Sequence, residues 1–588
     1  MAVALGRGDG ASAHGASADF GAVAATGRDA DVFQDDRRIV AVWGRARFVD
    51  PDLTAIAQRE GVARALAQGY ARKGTDILKA LSGTFAIAIL DRETGEAVLA
   101  IDRVGIQPLC YEVVAGTLVF SSTLDAISLF AGSNAGIDPQ AIYDYVYFHM
   151  VPGPRTIYSS RNRLPAGSYL VWRNGTLATR RYWEIRYDEN VQRPIPELKK
   201  EFLDTLRAGV SEAAQEGSVG AFLSGGTDSS TVAGMLGEVT GKPARTYSIG
   251  FEAQGYDEMH YARVAARHFG TQHHEYYVTP DDIVTAVPMI AAIHDQPFGN
   301  SSAVPTYFCA KLAKDDGVDV LLGGDGGDEL FGGNERYAKQ YLYSLYSDLP
   351  GPLRKGLIEP VAFLFPEIGL IGKAQRYMKN ASLPMPARYD TYNLLERLGA
   401  DNMFTPAFLA TIDQKLPREM LDSAYRDTQA RSLVNRMLAL DLKFTLTDND
   451  LPKVGRSCEL AGVDIRYPML ADSVVAFSAS LPPNLKLKGT RLRYFFKESL
   501  RGFLPDEILT KTKHGFGLPI GPWLRTHRPL QQLSLDSLAD LKKRGIVRPE
   551  FIDELTSTRV ASHAGYFGTM VWVLMMLEHW LKHHRLVV

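Results

Sequence analysis

A short apolar run, Val219-Gly-Ala-Phe-Leu223, passes directly into Ser224-Gly-Gly-Thr-Asp-Ser-Ser230, and a helical stretch follows from Thr231 to Val239. A buried strand that ends in paired glycines and then opens a helix limits the folds this chain can adopt. Glycine lets backbone N–H groups approach an anion closely. The first turn of the next helix adds free N–H donors at the positive end of its dipole. Ser224, Ser229 and Ser230 add hydroxyls that can donate to phosphate oxygens. Asp228 would repel a bare phosphate, but a Mg²⁺ ion between the two removes that repulsion. No Gly-Lys-Ser/Thr follows, so the segment is not a Walker loop.

The same theme recurs downstream. Thr246–Phe251 is a short apolar run followed by the helical Tyr261–His268, and Val318–Leu322 is another such run. Short buried strands alternating with helices predict a parallel α/β sheet, and beyond about residue 340 the pattern is mostly helical. Earlier in the chain, Ile39–Trp43, Phe85–Leu90, Ala97–Ile101, Leu109–Val114 and Thr117–Phe120 are apolar runs separated by polar turns. They predict a strand-rich N-terminal domain. Residues 1–31, rich in Gly, Ala and Ser, are expected to form one strand and a loose loop. Tyr187–Pro196 is polar and proline-bearing, so the expected division is 1–190 and 197–588.

With 588 residues, two to four domains are expected. A net charge of -2 gives no sign of a nucleic-acid binder, which usually shows a strongly basic domain, and leaves room for local basic patches. Cys110, Cys309 and Cys458 are far apart, without a CxxC pair, which predicts buried thiols and a cytoplasmic setting. No secretory signal is expected from the N-terminal residues. Met570–Leu577 is too short to cross a bilayer and predicts a buried helix. Neither a nucleic acid nor a membrane is expected as a partner.

A second loop, Val320-Leu-Leu-Gly-Gly-Asp-Gly-Gly-Asp-Glu329, again ends a strand in glycines and acids. Asp325, Asp328 and Glu329 need a cation or a basic partner nearby. Asp228 and Asp328 are therefore the candidates to bracket Mg²⁺. Further on stand Asp295-Gln-Pro-Phe-Gly-Asn300, Asp450-Leu-Pro-Lys-Val-Gly-Arg456, Asp464-Ile-Arg-Tyr-Pro468 and Lys511-Thr-Lys-His-Gly-Phe-Gly517.

Taken in order, these segments resemble the signatures of the asparagine synthetase family and its ATP-pyrophosphatase relatives. That resemblance implies an adenine-nucleotide α-hydrolase-like parallel-sheet domain with a helical C-terminal part. It implies that ATP is cut between its α and β phosphates and that Mg²⁺ is held by Asp228 and Asp328. Leu223, Ser224, Gly225, Gly226, Asp228, Ser229, Ser230, Ser248, Ile249 and Gly324 are the nucleotide-binding candidates. Asp325, Arg456 and Lys513 are the catalytic ones, with Lys513 reaching the α-phosphate. A positive group there would offset charge that builds as a carboxylate attacks phosphorus. Asp464, Met469 and Ala471 depart from the family pattern on the substrate side, which leaves the substrate open.

Leu81–Asp91, Asp102–Tyr111 and Phe120–Asp125 are similar to the same family's glutaminase domain, an N-terminal-nucleophile α+β sandwich. Active members expose an N-terminal cysteine after Met removal. Here residue 2 is Ala, and Val42-Trp-Gly-Arg-Ala-Arg-Phe48 stands where the family binds glutamine. Without a thiolate no acyl-enzyme forms, so this domain is expected to be inactive. The amine donor stays open. Ammonia with an aspartate-like acid is one reading. The other is a β-lactam-synthetase-like enzyme or a lasso-peptide cyclase acting on a precursor peptide beside a protease. A tRNA-modifying relative and a non-catalytic scaffold are the remaining readings.

Overall fold

The computed structural model describes residues 3–6, 13–130, 132–133, 135–253, 255–366, 368–511 and 517–585. The N-terminal part contains two six-stranded sheets. In the second, strands Ala30–Gln34, Arg38–Phe48, Leu81–Asp91, Glu96–Ile101, Ser168–Arg173 and Thr176–Arg181 run antiparallel throughout. Their residues alternate between two cores. Ile39, Ala41, Trp43, Ala86, Ala88 and Leu99 face the first sheet, where Val23, Leu118 and Phe120 meet them. Val40, Val42, Phe85, Ile87, Ile89 and Val98 face the helices Pro51–Glu60 and Val62–Lys73. Burial on both faces explains the near-continuous apolar runs.

Residues 1–31 differ from expectation. Ala13–Ala18, Gly21–Thr26 and Ala30–Gln34 are all strands. Alanine and glycine have weak strand preference, and pairing partners, including the parallel alignment of Val3–Gly6 with Gly21–Thr26, override it.

The C-terminal part is built on a five-stranded, all-parallel sheet. Its spatial order is Gln272–Val278, Arg245–Phe251, Val219–Phe222, Val320–Leu322, Asp464–Arg466. The chain starts in the centre, moves outward to one edge, then returns to the other side. The order therefore reverses between Val219–Phe222 and Val320–Leu322, and such a reversal opens a crevice at the carboxyl ends of the two strands. Ala221 pairs with Leu322, so both loops leave the sheet at the same level. Each then starts a helix, Thr227–Thr240 or the short Gly327–Phe331.

Helices complete the layers. Ile195–Ala213 buries Phe202 against the rings of Phe331, Phe477, Phe495 and Phe496, at centroid distances of 5.3, 5.7, 5.8 and 5.4 Å. Ala564–His583 is the expected buried helix, with Met570–Leu577 almost wholly enclosed. It joins the two halves, since Tyr145 donates to the Val573 carbonyl at 2.7 Å, and within the C-terminal part the Trp580 indole N–H donates to the His294 carbonyl at 2.9 Å. All three cysteines are buried. Among the described residues no helix is long and apolar enough to cross a membrane.

Phe202 fixes the helix beneath both loops. Phe202→Ala should destabilise the protein by about 3–5 kcal/mol, the usual cost of emptying a ring-sized core position. Equilibrium urea denaturation measures this; a loss below about 1 kcal/mol would mean the cluster repacks around the gap.

Candidate active site

The two loops touch. A Cβ on Gly324 would lie 2.8 Å from the Ser229 backbone nitrogen and 3.1 Å from the Asp228 side chain, so only glycine admits this approach. Gly225 has φ +69°, and a Cβ there would stand 2.5 Å from the Tyr261 carbonyl carbon. Ser224 and Ser229 brace the turn: the Ser224 N–H donates to Ser229 Oγ at 3.1 Å, and the two hydroxyls are 3.0 Å apart.

Close approach brings Asp228 and Asp328 face to face. Both carboxylates contact one guanidinium, that of Arg493. It donates to Asp228 Oδ1 at 2.5 Å, to Asp228 Oδ2 at 2.6 Å, to Thr227 Oγ1 at 2.6 Å, and to Asp328 Oδ1. Arg493 follows the small hairpin Leu487–Lys488/Arg491–Leu492 and has φ +52°. A left-handed backbone costs a non-glycine residue about 1–3 kcal/mol, which the ion contacts at this 6% exposed side chain help to offset.

A cavity of about 780 Å³ opens above the loops. Leu223, Ser224, Gly226, Asp228, Ser229, Ser248, Ile249, Gly324, Asp325 and Asp328 line it. Ser248 uses its hydroxyl on the Leu223 carbonyl, so its face toward the cavity is shaped by backbone and Ile249. Gly225 and Ser230 lie behind the lining, and Ser230 is fully buried.

Arg456 stands elsewhere. It pairs with Glu459 at 2.8 Å and Asp295 at 3.5 Å and lines a second cavity of about 500 Å³, between the two halves of the chain. One helical turn earlier, Lys453 faces the loops instead. Lys513 lies outside the described residues; Lys511, two residues before, lines the cavity and pairs with Glu258 at 3.0 Å.

The far wall of the cavity is acidic. Asp325, Glu329 and Asp450 surround Lys453, whose ammonium donates to Asp450 at 2.7 Å. The nine-residue π-helical stretch Leu442–Asp450 carries Asp450 there. Burial pushes Asp325 up to about 6, with Asp450 adding and Lys453 opposing. Burial, then Asp450 and Asp441, push Glu329 up to about 8. Burial alone would lower Lys453, but Asp450 and Asp325 outweigh it and raise it. Lys497 is lowered by burial and by Arg493.

The Asp228–Asp328 pair, with the loop hydroxyls, is a donor set suited to a hard, oxygen-seeking cation shared with phosphate. Both carboxylates already converge on a positive group, so a Mg²⁺ ion fits their charge. Among the described residues no cluster of three or more acidic, His or Cys side chains could hold a metal unaided. Substrate phosphates would have to complete the set. Lys453 stands in the segment Asp450–Arg456 that the sequence already marks, but Arg493 and Lys497 do not stand out there; the signal was the basic run Lys486–Lys497, which nothing local connects to Asp228, 265 positions before Arg493.

A strand-reversal crevice with a glycine-serine anion loop and a facing acidic loop defines a nucleotide-using α/β enzyme. The asparagine synthase family model matches residues 201–582, and a glutamine amidotransferase domain model matches 59–183. The chain belongs to the asparagine synthase family. It is 30% identical over 498 residues to a putative glutamine-hydrolysing asparagine synthetase of Mycobacterium tuberculosis, covering 81% of this chain and 73% of that protein. It is 26% identical over 507 residues to asparagine synthetase 1 of Bacillus subtilis, covering 85% and 77%. An amidase, ChyE, of Penicillium rubens is 22% identical over 79% of this chain and 74% of its own. Family membership makes the chain an ATP-dependent ligase with an amidotransferase-type N-terminal domain.

The Glu329 shift has a measurable consequence. Its folded-state value of about 8 lies above the ordinary 4.5, so the folded protein holds this proton more tightly than the unfolded chain. Stability from this group is present below about pH 4.5 and lost as pH rises to about 8. Glu329→Gln should remove that slope, leaving the variant more stable than wild type at pH 9 by on the order of a few kcal/mol. Chemical denaturation at pH 6 and pH 9 reads the difference; parallel curves would contradict it.

Proposed function

We propose that this chain activates a carboxylate as an acyl-adenylate and joins it to an amine, releasing pyrophosphate and AMP. The supporting observation is the convergence of Asp228 and Asp328 at the mouth of the glycine-serine loop, with an apolar shelf on one side and an acid-lysine wall on the other. Leu223, Ser248 and Ile249 form the shelf and suit a flat base. The loop amides with Ser224 and Ser229 hold the β and γ phosphates. Mg²⁺, when bound between Asp228 and Asp328, supplies charge neutralisation for the leaving pyrophosphate. Arg493 then turns from the carboxylates to the phosphate oxygens, keeping its charge at the point of cleavage. Lys513 is proposed at the α-phosphate, where the attacking carboxylate oxygen forms its bond to phosphorus as the bond to the bridging oxygen breaks.

In the second step the amine attacks the acyl carbon and AMP departs. Asp325, held near 6, is placed to accept the proton that the amine loses. Lys453 orients the acid substrate. Catalysis is therefore mostly positioning and charge stabilisation.

The N-terminal domain is proposed, with a boundary across residues 191–196, to have lost glutamine hydrolysis. The described cysteines are all buried, and burial raises Cys110 and Cys309 away from thiolate formation. The strand that stands at the family's glutamine site turns its charges to the synthetase half. Arg45 pairs with Glu216 at 3.0 Å, Arg47 with Glu212, and the neighbouring Gly83 N–H donates to Asp472 at 2.9 Å. A domain committed to docking favours a donor other than glutamine. The readings are then free ammonia with an aspartate-type acid, or a larger amine as in lasso-peptide or β-lactam formation, with a precursor peptide as substrate.

Coupled assays for AMP and pyrophosphate with ATP, Mg²⁺ and candidate acids test this. We expect one AMP per pyrophosphate, dependent on the acid. Asp325→Asn should slow amide formation by about 10²–10⁴-fold, the usual contribution of a positioned base, while pyrophosphate release persists. ADP and phosphate as products would overturn the reading, and dependence on glutamine would overturn the loss of the amidotransferase step.

A further inference from the structure

Eight of the large apolar side chains exposed on this protein fall within residues 357–371, a segment of fifteen. They sit on a helical hairpin formed by Gly351–Leu353, the π-turn Arg354–Ile358, Glu359–Phe363 and the helix Gly369–Ala381. The hairpin has its own small core, Tyr343, Tyr346, Met378 and Ala381, separate from the main one. It is thus held by a few aromatic contacts at its base, while its tip is bare: Leu364 is 79% exposed, Ile368 75% and Leu370 83%. Soluble surfaces scatter such residues singly; a contiguous patch marks a surface that something covers.

Charge indicates what covers it. Residues 351–381 hold five basic side chains, Arg354, Lys355, Lys373, Arg376 and Lys379, against two acids, Glu359 and Glu367. The whole chain has 65 basic and 67 acidic residues, so the basic surplus is local. Lys355, Lys373, Arg376 and Lys379 are all exposed. An apolar tip with basic residues on the flanking helices matches an anionic bilayer interface: leucines enter the acyl boundary and the long cationic side chains reach the headgroups. A second copy of this chain would bring the same basic residues together and repel.

We infer that residues 351–381 form a membrane-docking hairpin that seats this ligase on an anionic lipid surface. No spanning helix is needed, since the hairpin enters only the interface. The helix Glu335–Ser347 links the hairpin to the active site, because Glu335 lines the nucleotide cavity at its first turn. At 1.5 Å per residue its thirteen residues span roughly 20 Å along the helix axis. The enzyme would then work beside the membrane.

Vesicle co-sedimentation of the full chain tests this, with vesicles of phosphatidylglycerol and phosphatidylethanolamine and vesicles of phosphatidylcholine alone. We expect binding to the anionic vesicles, at least tenfold weaker binding to phosphatidylcholine, and several-fold weakening at 0.5 M salt, about three times the physiological ionic strength. Leu364→Glu with Ile368→Glu and Leu370→Glu should abolish it. Lys373→Glu with Arg376→Glu, which keeps the apolar tip, should lower anionic binding at least tenfold. Failure of the wild type to sediment with either vesicle, sedimentation of both variants like wild type, or a wild-type dimer in light scattering that the triple variant splits would each overturn the proposal. AMP formation in solution is a separate readout, so loss of docking and loss of the ligase reading are distinguishable.

Discussion

Two loops that leave neighbouring parallel strands at the same level are pressed together until their carboxylates share one cation. Every other feature of the site depends on that contact. Without Gly324 the loops could not close, because a side chain would strike the Ser229 amide. Without closure Asp228 and Asp328 would not face the same point, and Arg493 would have no reason to hold its left-handed backbone. Two carboxylates so near each other are costly alone. In this state a guanidinium balances them; with nucleotide bound, a metal and phosphate would do so.

The opposite wall solves a different problem. Asp325, Glu329 and Asp450 crowd one lysine, and burial keeps the first two partly or wholly protonated near neutral pH. A wall that can take up or give up a proton at little cost suits a step in which an amine must lose one. It also explains why Lys453 stays charged in a buried place that would otherwise discharge it.

Much of this was legible from residues. Ser224–Ser230 and Val320–Glu329 announce strand, glycine turn and helix within ten residues each, and the local pattern is enough. The alternation of strands and helices predicts the parallel sheet, and Met570–Leu577 predicts a buried helix; both are present. The rest depends on distance in the chain. Arg493 meets Asp228 across 265 positions. Lys453 and Arg456 are separated by one turn, and only the packing of their helix decides that Lys453 faces the cavity above the loops and Arg456 the second one. The strands Ala13–Ala18 and Gly21–Thr26 leave little trace in the sequence because alanine and glycine carry little strand preference of their own.

The central claim is that the paired aspartates form a magnesium-pyrophosphate seat. Calorimetric titration of pyrophosphate into the protein, with and without Mg²⁺, tests it most directly. The account predicts binding that requires Mg²⁺ and weakens at least tenfold, about 1.4 kcal/mol, in both Asp228→Asn and Asp328→Asn. Equal affinity with and without the metal, unchanged by either substitution, would contradict it.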